Sequence, residues 1–237
     1  MQLTVVLPAY NEEGNVERAV REAAAAVQPL VDGFEIVAVD DVSRDGTVAT
    51  LQRLVAEFGE RLRVITHPVN QGYGVALRDG FQAARGALVF YTDSDNQFDL
   101  RELRDFLPLM SEYDAVLGYR LDRQDPALRK FTSRVFNTIS SLAFGMRVRD
   151  LNCSFKLFQR EAIQSLPLET TDFFIDTELV ARLHQARFRY VQRGVRHYPC
   201  TAGHSSVRPG DVPRTPRSLV RIWRGLRAEP PPRTSLP

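Results

Sequence analysis

At 237 residues, with 43% hydrophobic and 25% charged positions, the chain is long enough for one large α/β domain with a substantial core. A net charge of +2 exerts no general pull on nucleic acid, and the two cysteines, Cys153 and Cys200, match neither a disulfide framework nor a zinc-ligand spacing, so a reducing compartment is expected. No apolar run reaches the roughly 18 residues that span a bilayer, and residues 3–9 lack the basic leader of a signal peptide, which predicts a cytoplasmic protein with at most peripheral membrane contact.

Leu3-Thr4-Val5-Val6-Leu7 reads as a buried strand stopped by Pro8, and Val16, Ala19, Val20, Ala23 and Val27 carry helical spacing over residues 15–27. Residues 34–39 form a second strand ending in Asp40-Asp41, followed by a helix that runs through Phe58 to Gly59. Residues 62–66 are a third strand; Asn70-Gln71-Gly72-Tyr73-Gly74 opens a helix that Gly86 ends. Residues 87–91 are a fourth strand and residues 115–117 the centre of a fifth. This alternation implies a mostly parallel sheet covered on both faces, with the polar clusters that follow the strands gathered along one edge.

The second half departs from that rhythm. A helix is expected over residues 129–146, with Phe131, Val135, Ile139, Leu142 and Met146 on one stripe; then come a short strand at residues 156–158, a helix at 176–185 and a strand at 189–198. Near the C-terminus, Arg217, Arg221 and Arg224 lie opposite Leu219, Ile222, Trp223 and Leu226 on one amphipathic helix. That helix suits a membrane interface or packing on its own domain or a partner. The expected organisation is a domain over residues 1–208, this basic helix over 209–228 and a disordered tail over 229–237.

Thr92-Asp93-Ser94-Asp95-Asn96-Gln97 stands at the carboxyl end of the fourth strand, before a helix start capped by Asp99. Ligands bind at such ends in open α/β sheets. Two carboxylates one residue apart suit a divalent metal carrying a diphosphate; a plain polar turn fits the same residues.

Taken together, the motifs resemble family 2 inverting glycosyltransferases, and most closely the polyprenol-phosphate sugar transferases of the dolichol-phosphate mannose synthase type. The resemblance spans roughly residues 2–205. It rests on Pro8-Ala9-Tyr10-Asn11-Glu12, Val39-Asp40-Asp41-Val42-Ser43-Arg44-Asp45-Gly46-Thr47, Asn70-Gln71-Gly72-Tyr73-Gly74, Asp93-Ser94-Asp95-Asn96-Gln97, Gly118-Tyr119-Arg120 and Arg149-Asp150-Leu151-Asn152-Cys153-Ser154-Phe155-Lys156, in the family's order. It implies a single Rossmann-like domain of GT-A type, a GDP- or UDP-linked sugar donor, Mg²⁺ or Mn²⁺, and a polyprenol phosphate acceptor reached by peripheral membrane contact or through a membrane-protein partner.

Under that resemblance, Asp93, Asp95 and Gln97 hold the metal, and Pro8, Tyr10, Asn11, Glu12, Asp41, Gly72, Asp93 and Ser94 line the donor site. Asp95, Arg120 and Arg129 form the catalytic set, the two arginines meeting phosphates. Asp150, Ser154, Asp176 and Glu178 face the sugar and acceptor. Local structure offers a competing account for several of them: a helix cap for Asn11, turn chemistry for Asp40, a tight loop for Gly72 and Gly74, and helix-dipole pairing for Asp176 and Glu178. A phosphate acceptor is already anionic, so no general base is assigned.

Two positions depart from the family pattern. Val42 stands where Gly or Asp is usual, and Cys200 where an Arg is usual, with Arg196 or Arg208 as possible replacements. These departures keep two rival readings open: a transferase with a soluble or glycan acceptor, and a nucleotide-sugar-binding protein without turnover.

Overall fold

The computed structural model describes residues 1–121, 127–199 and 215–228, with backbone alone at 127–129, 215–217 and 228. The strands are β1 (Leu3–Ala9), β2 (Phe34–Asp40), β3 (Leu62–Thr66), β4 (Leu88–Thr92), β5 (Ala115–Leu121), β6 (Phe155–Gln159) and β7 (Tyr190–Arg196). The helices are α1 (Val16–Val27), α2 (Thr47–Phe58), α3 (Tyr73–Ala83), α4 (Ala127–Phe144), α5 (Arg160–Ser165), α6 (Ile175–Gln185) and α7 (Thr215–Ala228).

All seven strands join one sheet in the order β3-β2-β1-β4-β6-β5-β7. β1 and β2 are buried along their whole length, which is why they read as continuous apolar runs rather than alternating ones. The only charge inside them before the strand end is Glu35, and it is satisfied: it accepts from the Thr4 hydroxyl at 2.9 Å, the Arg85 amide at 2.8 Å and the Arg63 guanidinium at 3.0 Å. α3 seats itself on β1 through Gly80, where a Cβ would stand 2.4 Å from Val6 Cγ1.

β6 runs antiparallel between β4 and β5, while every other pairing is parallel. Because β6 is reversed, its first residue meets the last residue of β4, Thr92 opposite Phe155. The edge that carries the ends of β1, β2, β4 and β5 therefore also receives Cys153 and Ser154. The segment after β4 forms two 3₁₀ stretches, Leu100–Asp105 and Leu107–Ser111, rather than an α-helix. Asp99 does cap the first, accepting from the Arg101 amide.

The two amphipathic helices of the second half face opposite ways. α7 turns Leu219 and Ile222 into the core formed with α6, and Leu226 packs against the same cluster. Its apolar face is thus taken by its own domain, and Trp223 lies at the surface beneath the Arg227 guanidinium, 3.6 Å from the ring centroid. α4 instead buries Asn137 and Ser140, with Phe136 and Phe144 partly buried, and leaves Phe131, Val135, Ile139 and Leu142 exposed. No helix among the described residues is long and apolar enough to cross a membrane.

Candidate active site

Asp93 and Asp95 sit just past β4, and three elements fix the first of them. Asp93 accepts from the Tyr73 hydroxyl, at the start of α3, at 2.8 Å, and from the Ser154 hydroxyl, at the entry to β6, at 2.6 Å. Asp95 accepts the Gln97 amide at 3.1 Å. Burial raises the Asp93 pKa, although the hydroxyls of Ser154 and Tyr73 oppose that shift. Burial, then the neighbouring charge of Asp93, pushes Asp95 up to about 7. Burial also raises Glu12, with the charges of Asp93 and Asp45 adding to it.

Carboxylates crowded in this way are destabilised as anions, and a divalent cation relieves that repulsion directly. The donor set is all oxygen, which suits Mg²⁺ or Mn²⁺. Among the described residues no group of three or more His, Cys, Asp or Glu side chains is placed to enclose a metal. The pair therefore fits as part of a coordination shell, with further oxygens to come from a ligand such as a diphosphate. Gln97 acts as a strap: its side-chain amide donates to the Tyr198 carbonyl at 3.1 Å, and its own carbonyl accepts the Tyr198 amide at 2.8 Å. Ser94 likewise ties the loop to β1, donating to the Pro8 carbonyl at 2.8 Å.

On the β1–β2 side, the loops after the two strands are laced together. Asn11 takes the Arg44 amide at 2.8 Å, the Asn11 amide donates to Ser43, and the Glu12 amide donates to Thr47. Tyr10 stands 47% exposed at the end of β1. Asp41 is 4% exposed, and its carboxylate receives the Gln71 and Gly72 amides, both at 2.8 Å, and faces His67 Nδ1 at 2.7 Å. The expected base-binding residue is thus also the anchor of the glycine loop. His67, itself wedged between Asp41 and Asp79, was not singled out from the sequence; a His directly after a strand was its only signal.

Gly72 and Gly74 are required by backbone approach. Gly72 has φ +97°, and a Cβ there would stand 2.3 Å from the Thr171 carbonyl oxygen; at Gly74 the distance to the Thr170 oxygen would be 2.2 Å. Glu178 holds that Thr170–Thr171 segment from the other side, accepting the Thr170 amide at 2.8 Å and Arg182 Nε at 2.8 Å. It is 2% exposed, and its contacts support the loop.

Val42 lies at φ +64° immediately after Asp41. A β-branched side chain is disfavoured in that region. Val42→Gly is therefore expected to leave stability unchanged or raise it by about 1 kcal/mol, in contrast to the loss that glycine brings at ordinary positions; thermal melting checks the sign.

On the far side, Arg120 and Asp150, assigned separate roles from the sequence, form a bidentate pair at 2.7 and 2.8 Å, with side chains only 10% and 6% exposed. Asn137 of α4 fixes the Asp150 loop by donating to the Arg149 carbonyl at 3.0 Å and accepting the Leu151 amide at 3.3 Å. Asp176 meets the Tyr91 hydroxyl and lies 2.5 Å from the ammonium of Lys156, which is wholly buried in β6. Lys156 and Tyr73 were not singled out as site residues; a lysine inside the apolar run Phe155-Lys156-Leu157-Phe158 was the available signal. The Arg129 side chain, Cys200, Arg208 and the 229–237 tail lie outside the described residues.

The profile of Glycosyl transferase family 2 matches residues 4–166. The chain is 33% identical over 241 residues to Glycosyltransferase AglD of Haloferax volcanii, covering 97% of this chain and 38% of that protein. It is 32% identical over 165 residues to the undecaprenyl-phosphate 4-deoxy-4-formamido-L-arabinose transferase of Pseudomonas aeruginosa, covering 69% of this chain and 49% of that one. The chain thus spans half or less of the length of these relatives. Glucosyl-3-phosphoglycerate synthase of Mycobacterium tuberculosis, crystallised with Mn²⁺, UDP and glucosyl-3-phosphoglycerate, superposes with a TM-score of 0.66 at 21% identity over 93% of this chain and 78% of that one, a likeness of fold.

Proposed function

The chain belongs to glycosyltransferase family 2, and from that premise we propose that it is an inverting transferase moving one sugar from a nucleotide-diphosphate donor to a polyprenol phosphate on the cytoplasmic face of a membrane. The single observation that carries this reading is the Asp93–Asp95 pair at the end of β4, with Asp95 held near a pKa of about 7. The acceptor class draws on the relative whose name carries undecaprenyl phosphate.

Asp93 and Asp95, with Gln97 beside them, are the residues to hold Mg²⁺ or Mn²⁺, which when bound neutralises charge on a departing diphosphate. Tyr73 and Ser154 orient Asp93 by donating to both of its oxygens. The loops bearing Tyr10, Asn11 and Asp41 form the wall on which base and ribose rest. Arg120, aligned by Asp150, supplies positive charge toward the acceptor side. An acceptor phosphate oxygen bonds to the anomeric carbon as the bond from that carbon to the donor phosphate oxygen breaks on the opposite face. The electron pair leaves with the nucleoside diphosphate, and no proton transfer is needed.

Purified protein is incubated with Mn²⁺, a polyprenyl phosphate and a panel of GDP- and UDP-sugars, and the products are extracted into organic solvent. A labelled glycolipid is the expected result. Label that stays in water on a new glycan overturns the acceptor, and donor binding without any transfer overturns the activity.

A further inference from the structure

We propose that His67 is a positioning residue that decides which nucleobase the donor site accepts. By filling one oxygen of Asp41 it leaves that carboxylate a single accepting position, which selects a base presenting one N–H, uracil, over guanine. The proposal deepens the nucleotide-sugar reading and rests on it, because it takes the Asp41 wall as the place where the base lies.

Asp41 stands where the ends of β1 and β2 meet. Its amide donates to the Ala9 carbonyl at 3.0 Å, next to Tyr10, and its carbonyl accepts from the Asn70 side chain at 2.9 Å. A carboxylate offers about four accepting positions, two on each oxygen. Three of those on Asp41 are taken from within the fold. Oδ1 accepts the Gln71 amide at 2.8 Å and His67 Nδ1 at 2.7 Å, and Oδ2 accepts the Gly72 amide at 2.8 Å. Oδ1 is therefore full, and one position remains, on Oδ2.

Two of those three donors are backbone amides, which almost any residue supplies. The third is a side chain, so residue 67 sets how much of Asp41 is left for a ligand. His67 has little freedom to withdraw. Its amide donates to the Asp40 carbonyl at 2.9 Å, the residue is 5% exposed, and Nε2 lies 3.2 Å from Asp79 Oδ2 on α3. A carboxylate only accepts, so Nδ1 carries the hydrogen of the Asp41 contact. A ring held at both nitrogens does not swing away to free Oδ1.

The pairing edges of the bases differ in what they offer. Uracil presents one N–H, at N3, between two carbonyls. Guanine presents N1–H and an N2 amino hydrogen side by side, which a carboxylate meets with both oxygens. Cytosine has no hydrogen on N3. One free position matches uracil. Against guanine it leaves a desolvated N–H without an acceptor, and unpaired buried groups of that kind are what make hydrogen-bonding sites discriminate.

The full chain is titrated with UDP, GDP and CDP by calorimetry in the presence of Mn²⁺. The wild type is expected to bind UDP at least about tenfold tighter than GDP or CDP. Two substitutions separate the two contacts of the ring. In His67→Asn the amide nitrogen takes the place of Nδ1, and the preference for UDP is expected to persist. In His67→Gln the amide nitrogen takes the place of Nε2, so the Asp79 contact stays while Oδ1 is released. There the preference for UDP over GDP is expected to fall to about threefold or less. A His67 that only supports the fold would shift melting in both variants and leave the ratio alone. GDP bound as tightly as UDP by the wild type overturns the proposal whatever the variants do. So does a ratio that His67→Gln leaves unchanged, or one that His67→Asn collapses.

Sugar transfer from UDP- and GDP-linked donors is measured in parallel. Transfer that proceeds equally well from a GDP-linked donor sinks the base choice and leaves the transferase reading standing. Selective UDP binding without transfer sinks the activity and leaves the base choice standing. No nucleotide bound at all sinks both.

Discussion

Asp95→Asn is expected to abolish the response to Mn²⁺, cut transfer by on the order of a thousandfold, and yet make the metal-free protein more stable at alkaline pH. The cause is the same for all three. Asp95 is pushed from 3.8 up to about 7 by burial and by the charge of Asp93. The folded protein thus holds a proton that the unfolded chain has released across the interval between those values. Stability from this group is fully present below about pH 4 and is lost as pH climbs to about 7; above that the whole penalty is in force. Three units correspond to about 4 kcal/mol, shared with Asp93 because the two carboxylates titrate together.

A cation bound by both carboxylates reverses the penalty. Mn²⁺ is therefore expected to raise the wild-type melting temperature strongly at pH 8 and weakly at pH 5, where protons compete for the same oxygens. In Asp95→Asn the metal-free melting curve should shift upward at pH 8, lose much of its decline between pH 5 and 8, and ignore Mn²⁺. A wild-type protein whose Mn²⁺ response is equal at both pH values would contradict the assignment of the pair as metal ligands.

Much of the fold was legible because the first half obeys a local rule. Each buried strand is a continuous apolar run, each helix shows a 3.6-residue period, and polar residues punctuate the turns, so β1 to β4 and their helices follow from pattern alone. The second half depends on pairings across long separations. Nothing near residues 155–159 says that this strand runs backwards between β4 and β5, yet that insertion delivers Ser154 to Asp93.

The same limit applies to the site. Asp41 was recognisable as a strand-end carboxylate, but its hold on the Gln71 and Gly72 amides is a tertiary fact. Arg120 and Asp150 lie thirty residues apart, and their pairing needs β5 and the 149–151 loop to meet. Helical period identifies a stripe without saying which way it faces. The stripe of α7 turned inward, with Leu219 and Ile222 buried, and that of α4 outward, except for Met146, which lies past the helix end and is buried.

Lys156→Met is expected to destabilise the protein by about 3–5 kcal/mol, far more than its smooth fit into an apolar strand suggests. The Lys156 ammonium is wholly buried and donates to Asp176 at 2.5 Å, to the Tyr91 hydroxyl at 2.8 Å and to the Cys153 carbonyl at 2.6 Å. Removing it leaves Asp176, 4% exposed, as an uncompensated charge, and leaves the Cys153 carbonyl without this donor. The consequence reaches the site, because the Lys156 charge lowers the Asp93 pKa while that of Asp176 raises it. With the lysine gone, the Asp176 charge acts on Asp93 without that offset, so Asp93 holds its proton more tightly and, at pH 8, the more negative site should also hold Mn²⁺ more tightly.

Lys156→Met with Asp176→Asn removes both charges together. That double variant is expected to recover a large part of the lost stability and to return the Mn²⁺ response to near the wild-type level, giving a strongly non-additive cycle. Additive losses in melting, or an Mn²⁺ response untouched by Lys156→Met, would show that the pair neither balances itself nor sets the charge beneath Asp93.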